Sequence, residues 1–156
     1  MLKNRTLLFA IAFSCFFVIG VALYYQHVKL MLPCPYCVIQ RYAFLFAGLF
    51  ALVAALVKRR TVWIDLALAS AIGGAFTVYK HLEVIANPGF SCGIDPKTTF
   101  LNKLPTAQVL PQVFEADGFC SGAGDPVMGL PIPYWSAVWF AIIILALIVA
   151  HARRRS

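Results

Sequence analysis

The chain has 156 residues, of which 62% are hydrophobic and only 12% are charged, and its mean hydropathy is +0.83. A soluble domain cannot present so apolar a composition to water, so we predict an integral membrane protein. The net charge of +7 does not indicate a nucleic-acid partner, because the basic residues form short separate clusters rather than one patch or one helix face.

Four segments are apolar over about 20 residues, the length that an α-helix needs to cross a bilayer. They cover roughly residues 7–26, 37–57, 62–82 and 134–151. We therefore predict an all-α membrane protein, a four-transmembrane-helix bundle that forms one integral membrane domain over residues 1–156. Its outer loops lie at about 27–36 and 83–133. The first segment could instead be a cleaved signal peptide. Its apolar run is longer than that of most signal peptides, however, and no clear cleavage site follows it.

The positions of the basic residues predict the orientation of the bundle. Eight of the thirteen Lys and Arg residues fall at the ends that four spans place on one side. They are Lys3, Arg5, Lys58, Arg59, Arg60, Arg153, Arg154 and Arg155. Basic residues collect on the cytoplasmic side of a membrane, so both termini are predicted to be cytoplasmic and the long loop periplasmic. Tyr134, Trp135 and Trp139 fit the aromatic belt of the outer interface.

The cysteines fall mainly on the outer side of this topology. Cys34 and Cys37 end the first outer connection, and Cys92 and Cys120 lie in the long second one. Disulfides persist outside the bacterial cytoplasm, so these four are expected to be paired. Proximity favours Cys34 with Cys37, although sequence alone leaves three pairings open. Cys15, inside the first span, is interpreted as a small apolar residue.

Two other interpretations of the outer cysteines remain. In the first, the four outer cysteines bind zinc or copper. The long loop lacks the second C-x-x-C that such a site usually has, so no metal is expected. Alternatively, the bridges only staple the outer loops. The motif Cys34-Pro35-Tyr36-Cys37 also occurs in glutaredoxin-like domains, but no βαβ pattern flanks it here.

Arg41 favours a functional dithiol over a structural staple. It follows Cys37 by four residues, so the two side chains share one helix face if the second span begins near Cys37. A cation and a helix N-terminus both stabilise a thiolate. A charged side chain inside a membrane span costs free energy and therefore suggests a function. The alternative is that the Arg41 side chain extends to the membrane interface. A redox pair at the lipid edge suits an electron acceptor dissolved in the lipid, such as a quinone.

The long loop has apolar residues at three- and four-residue spacing. They are Ala107, Leu110, Val113 and Phe114, with Pro111 near a helix start. The spacing predicts a short helix lying on the membrane surface. An irregular loop is the alternative, which the many prolines of this segment favour.

Together these features resemble the disulfide bond formation protein B (DsbB) family of bacterial inner-membrane quinone reductases. The likeness extends over nearly the whole chain. It includes the C-x-x-C motif followed by Gln40-Arg41, the Tyr79-Lys80-His81 end of the third span, and the loop with Cys92 and Cys120. Tyr36, where leucine is common in the family, and the intramembrane Cys15 are departures that bear on detail.

The resemblance implies a relay of electrons. Cys34 and Cys37 would be the membrane-proximal redox pair, and Cys92 and Cys120 the pair that exchanges with a periplasmic thioredoxin-fold oxidase of the DsbA type. Arg41 and Cys37 would bind ubiquinone or menaquinone from the membrane pool. His81 would bind a quinone oxygen or relay a proton, unless it is a plain interfacial histidine.

Two rival classes remain beside this hypothesis. A non-catalytic four-span scaffold gives no reason for Arg41 one turn after Cys37. An enzyme similar to vitamin K epoxide reductase usually has its C-x-x-C late in the chain, whereas here the motif precedes the second span.

Overall fold

The computed structural model describes residues 2–87, 96–118 and 126–155. Four long helices are α1 (Leu2–Val28), α2 (Pro35–Leu56), α3 (Thr61–Ala86) and α7 (Ile132–Arg155). Between α3 and α7 lie the short helices α4 (Pro96–Asn102), α5 (Pro105–Val109) and α6 (Pro111–Phe114). The four long helices are each long and apolar enough to cross a membrane, which confirms the predicted all-α fold.

Local sequence signals explain where the second and third helices begin and end. Pro35 is the first residue of α2, where its missing N–H costs nothing and its fixed φ suits a helix. Cys34 precedes it in an extended conformation. At the other end, the Val57 amide donates to the Val53 carbonyl over 2.9 Å, and the basic residues 58–60 then form the turn into α3.

Small residues let the long helices pack closely. Ala47 and Ala51 of α2 and Ala71 of α3 are fully buried. Gly74 of α3 faces Phe140 of α7, and a Cβ added there would lie only 2.2 Å from the ring. Small residues at helix interfaces are how membrane helices gain van der Waals contact, since lipid supplies no hydrophobic drive between them.

The outer surface of the bundle is apolar. Large side chains that point away from the neighbouring helices include Phe13, Phe76 and Leu145, which are 72%, 62% and 64% exposed. An apolar surface that extends over four long helices is not stable in water, but it is suited to contact with lipid tails. The protein is therefore a multi-pass membrane protein.

The three short helices form an outer segment that covers the beginning of α2. Leu101, Ala107 and Phe114 are buried against Val38, and the Phe114 ring stacks on Tyr42 with centroids 4.5 Å apart. The single surface helix predicted near residues 107–114 is divided at Leu110, which is not helical. Pro111 explains the break, because proline lacks an N–H and disfavours helical geometry in the preceding residue.

Hydrogen bonds attach the outer segment to the first outer connection. The amides of Asp117 and Gly118 both donate to the Pro33 carbonyl, over 3.1 and 3.0 Å. Within the segment, the Asn102 side chain accepts from the Ala116 amide and donates to its carbonyl. Residues 115–118 are thereby held directly beside Cys34.

Candidate dithiol active site

Cys34 and Cys37 lie together at the N-terminus of α2. Their sulfur atoms are 3.3 Å apart, and Cys34 Sγ donates a hydrogen bond to Cys37 Sγ. A disulfide would bring the sulfurs to about 2.05 Å, so this is the geometry of the reduced pair. Cys34 is the residue preceding the helix and Cys37 is in its first turn, where amide groups without helical partners favour negative charge on sulfur.

His81 approaches the pair from α3. Its Nε2 lies 3.4 Å from Cys34 Sγ, and its Nδ1 lies 3.4 Å from Nε2 of Gln40. The ring also stacks on Tyr36 at a centroid distance of 5.7 Å and an angle of 16°. His81 is only 4% exposed, so its contact with a cysteine sulfur takes place away from bulk water.

Arg41 is buried one turn further along α2, with 6% of its surface exposed. Its Nη1 donates to Gln26 Oε1 over 2.6 Å and to the Val113 carbonyl over 2.7 Å. In the described parts of the chain no carboxylate pairs with this guanidinium, and its charge acts on both cysteine sulfurs. Arg41 is therefore both a local positive charge and a clamp that joins α1, α2 and the outer segment.

A second cation reaches the site from the outer segment. Lys97 Nζ donates to the Tyr36 hydroxyl over 2.6 Å and lies 4.5 Å from the centroid of the same ring. Tyr36 thus contacts both Lys97 and His81. This contact fixes the tyrosine between the two cysteines and links α4 to the redox pair.

A cavity of about 640 Å³ opens beside the pair, between α1, α2 and α7. Most of its wall is apolar, and the dithiol with its polar neighbours forms part of that wall. The lining residues from this site are Gln26, Cys34, Cys37, Gln40, Arg41 and His81. An apolar wall with a few convergent polar groups is typical of a site for a small apolar molecule with a polar head.

The structure brings together four of the residues singled out in the sequence: Cys34, Cys37, Arg41 and His81. The other two cysteines singled out, Cys92 and Cys120, lie outside the described residues. Cys15 is buried where α1 meets α2, with its Cβ 3.0 Å from the position that a Cβ on Gly48 would occupy. Its packing agrees with the interpretation as a small apolar residue.

Sequence reasoning missed three partners of the site. Gln26 and the Val113 carbonyl bind Arg41, and Lys97 binds Tyr36. Gln26 gave a weak signal as a polar residue at the end of an apolar span. Lys97 gave none, because it is 61 residues from its partner.

Comparison with known proteins places this arrangement in a family. Residues 4–150 match the family described as Disulfide bond formation protein DsbB. The Disulfide bond formation protein B of Ralstonia nicotianae is 47% identical over 153 residues, which are 97% of this chain and 96% of that protein. Its namesake in Herminiimonas arsenicoxydans is 46% identical over 158 residues and the full length of both chains.

A third relative agrees with these two. The Disulfide bond formation protein B of Cupriavidus pinatubonensis is 44% identical over 153 residues, covering 97% of this chain and 95% of that one. Four membrane-spanning helices and a buried dithiol fit a membrane oxidoreductase that takes part in disulfide formation. The chain belongs to the DsbB family of disulfide bond formation proteins.

Proposed function

We propose that this protein reoxidises a periplasmic thioredoxin-fold oxidase of the DsbA type and passes the electrons to a membrane quinone, ubiquinone or menaquinone. It acts in the bacterial inner membrane, with both termini in the cytoplasm. The observation that carries the proposal is the apolar cavity bordered by both sulfurs of the dithiol. An acceptor dissolved in the lipid is the kind of molecule that such a cavity suits.

The residues around the cavity fit a quinone. Its ring is flat and apolar and carries two carbonyl oxygens, and the cavity offers an apolar wall with donors at one end. Arg41 and Gln40 would hold these oxygens, with His81 beside them. A bound quinone would accept two electrons and two protons, and so return the pair to a disulfide.

Exchange with the soluble partner precedes this step. A thiolate of the reduced partner attacks the Cys92–Cys120 disulfide at Cys92, and Cys120 leaves as a thiolate. The partner's second thiol then displaces Cys92, which yields the oxidised partner and a reduced loop pair. Both cysteines lie outside the described residues, so this order follows the family resemblance.

Electrons then pass inward by the same chemistry. A loop thiolate attacks Cys34 of the oxidised inner pair, and Cys37 leaves as a thiolate. Helix α2 and the charge of Arg41 stabilise that leaving group. The amides of residues 117 and 118 donate hydrogen bonds to the Pro33 carbonyl, next to Cys34. The outer segment must therefore shift before a loop thiol can reach the Cys34 sulfur.

His81 has a proton-transfer role in this scheme. When the loop disulfide re-forms, Cys34 is released and carries a proton as a thiol. His81 Nε2, 3.4 Å from the sulfur, accepts that proton when Cys34 is oxidised again. Gln40 on the other ring nitrogen orients the imidazole.

Quinone reduction by the purified protein tests the proposal. With a reduced DsbA-type partner, we expect one quinone reduced per partner disulfide formed, measured from quinone absorbance and from thiol titration of the partner. Cys37→Ser should abolish quinone reduction, whereas Cys15→Ala, the matched cysteine outside the site, should retain it. Partner oxidation that continued at full rate in Cys37→Ser would contradict the proposed route.

A further inference from the structure

The dithiol and His81 together form a three-ligand cluster suited to a metal ion. The two sulfurs and a ring nitrogen of His81 all lie within 4.8 Å of one another. Cys34 and His81 are buried and Cys37 is half-buried. Thiolate sulfur and imidazole nitrogen are the ligands that zinc prefers in proteins.

The distances are close to those of a tetrahedral zinc site. Zinc bonds of about 2.3 Å to sulfur and about 2.0–2.1 Å to nitrogen place two sulfurs about 3.8 Å apart, and a sulfur about 3.5 Å from the nitrogen. The sulfurs here are 3.3 Å apart, and Cys34 Sγ is 3.4 Å from His81 Nε2. An opening of about half an ångström brings the two sulfurs to this spacing, and Cys37 Sγ, within 4.8 Å of the imidazole nitrogen, closes on it as the metal binds. The adjoining cavity leaves room for water as a fourth ligand.

The residues around the cluster would support metal binding. A ligating His81 Nε2 requires the proton on Nδ1, and a metal-bound histidine usually donates that N–H to an acceptor. Gln40 faces Nδ1 at 3.4 Å, and its amide accepts that bond once its oxygen and nitrogen exchange places. Stacking on Tyr36 holds the ring plane.

The charge of the reduced pair gives a second reason to expect a metal ion at this cluster. Loss of both thiol protons would leave two negative charges 3.3 Å apart in a largely buried site, and a divalent cation cancels both charges. Arg41 donates hydrogen bonds to Gln26 and to the Val113 carbonyl, and these two bonds do not engage the sulfurs.

We propose that Cys34, Cys37 and His81 bind one Zn²⁺ when the inner pair is reduced and release it when the pair is oxidised. Binding displaces two thiol protons and forms two Zn–S bonds and one Zn–N bond, with no change of oxidation state. A disulfide offers no thiolates, so the site exists only in the reduced protein. Zinc would thus hold the pair reduced and block its reoxidation, whichever molecule accepts the electrons.

Zinc binding is best measured in a Cys92→Ser/Cys120→Ser background, because the loop thiols then cannot contribute ligands. The detergent-purified protein is reduced, the reductant is removed, and Zn²⁺ is titrated against a chromophoric chelator. Co²⁺ serves as a second probe, since thiolate ligands give it charge-transfer absorption. The same protein with Cys34 and Cys37 oxidised is measured in parallel.

Two histidine variants separate ligation from other effects. His81→Ala should weaken zinc binding at least about tenfold, as loss of a metal-site group does. His27→Ala, a histidine on the same outer side but outside the cluster, should leave the affinity unchanged. His81→Cys replaces one ligand by another and should restore affinity.

The expected result is one zinc per reduced protein and none in the oxidised form. Equal affinity in His81→Ala and the background protein would overturn the three-ligand site. Zinc bound as tightly by the oxidised protein would overturn the redox dependence. A melting temperature that zinc raises only in the reduced background protein would support the site without reference to enzyme activity.

Discussion

Arg41 is the residue in which charge and structure are most closely combined. It is buried, its charge acts on both sulfurs, and its hydrogen bonds join α1 to the outer segment. A hydrogen bond to a charged group contributes about 1.5–3 kcal/mol, so loss of Arg41 also loosens the outer segment. Experiments on this residue must separate the two roles.

Replacement of Arg41 by alanine should reduce quinone use more than partner exchange. The thiolate at Cys37 loses its cation, while Cys92 and Cys120 remain available to the partner. We expect a rate loss of at least about tenfold, equivalent to about 1.4 kcal/mol, in quinone reduction measured against quinone concentration. Single-turnover exchange with the reduced partner should change less.

Gln26→Ala is the matched control for the clamp. It removes one hydrogen bond of Arg41 and leaves the charge in place. Arg41→Lys keeps the charge without the planar donor group. If Gln26→Ala lost as much quinone activity as Arg41→Ala, the clamp rather than the charge would explain the effect.

The contact between α3 and α7 shows how a single glycine sets helix spacing. Phe140 occupies the space that a side chain at Gly74 would need, and its ring stacks on Phe44 at a centroid distance of 4.0 Å. The neighbouring Gly73 has nothing within 4 Å of an added Cβ. The two adjacent glycines therefore have different environments on one helix.

Gly74→Ala should destabilise the bundle, whereas Gly73→Ala should be neutral or stabilising. Overpacking at a tight interface costs about 1–3 kcal/mol, and alanine in an open helix position gains up to about 1 kcal/mol over glycine. Melting temperatures in the same detergent compare the two. A similar change in both variants would show that packing at Phe140 does not distinguish them.

In the proposed function, the whole molecule couples a periplasmic partner to the lipid phase, and this requires the proposed orientation. We expect a fluorescent protein fused after Ser156 to be fluorescent, as in the cytoplasm. Alkaline phosphatase inserted after Lys103 should be active, as in the periplasm. The reverse pattern for either fusion would contradict the orientation inferred from the basic residues.

The proposed order of disulfide exchange between the soluble partner and the loop cysteines also belongs to the scale of the whole molecule. Cys120→Ser should trap a mixed disulfide between Cys92 and the soluble partner, because the cysteine that pairs with Cys92 is missing. Incubation with the oxidised partner, whose disulfide the Cys92 thiolate attacks with release of one partner thiolate, and separation without reductant would show the adduct. An adduct that formed in Cys92→Ser through Cys120, and not in Cys120→Ser, would reverse the order.

The sequence by itself determined the features that depend on local spacing. Apolar runs of about 20 residues predicted the four spans, because the bilayer thickness sets helix length. The spacing of Cys37 and Arg41 placed both on one face of α2, since helical periodicity is local. The effect of Pro111 on Leu110 was also readable from local rules, although the spacing of the apolar residues favoured one continuous helix.

Tertiary structure alone decided which distant groups meet at the dithiol. His81 is 47 residues from Cys34, and the Val113 carbonyl is 72 residues from Arg41. Such contacts depend on how each helix is rotated and where the helices cross, and those are set by the packing of small residues such as Gly74. The cavity beside the two sulfurs has the same origin, because α1, α2 and α7 enclose it only when the bundle is assembled.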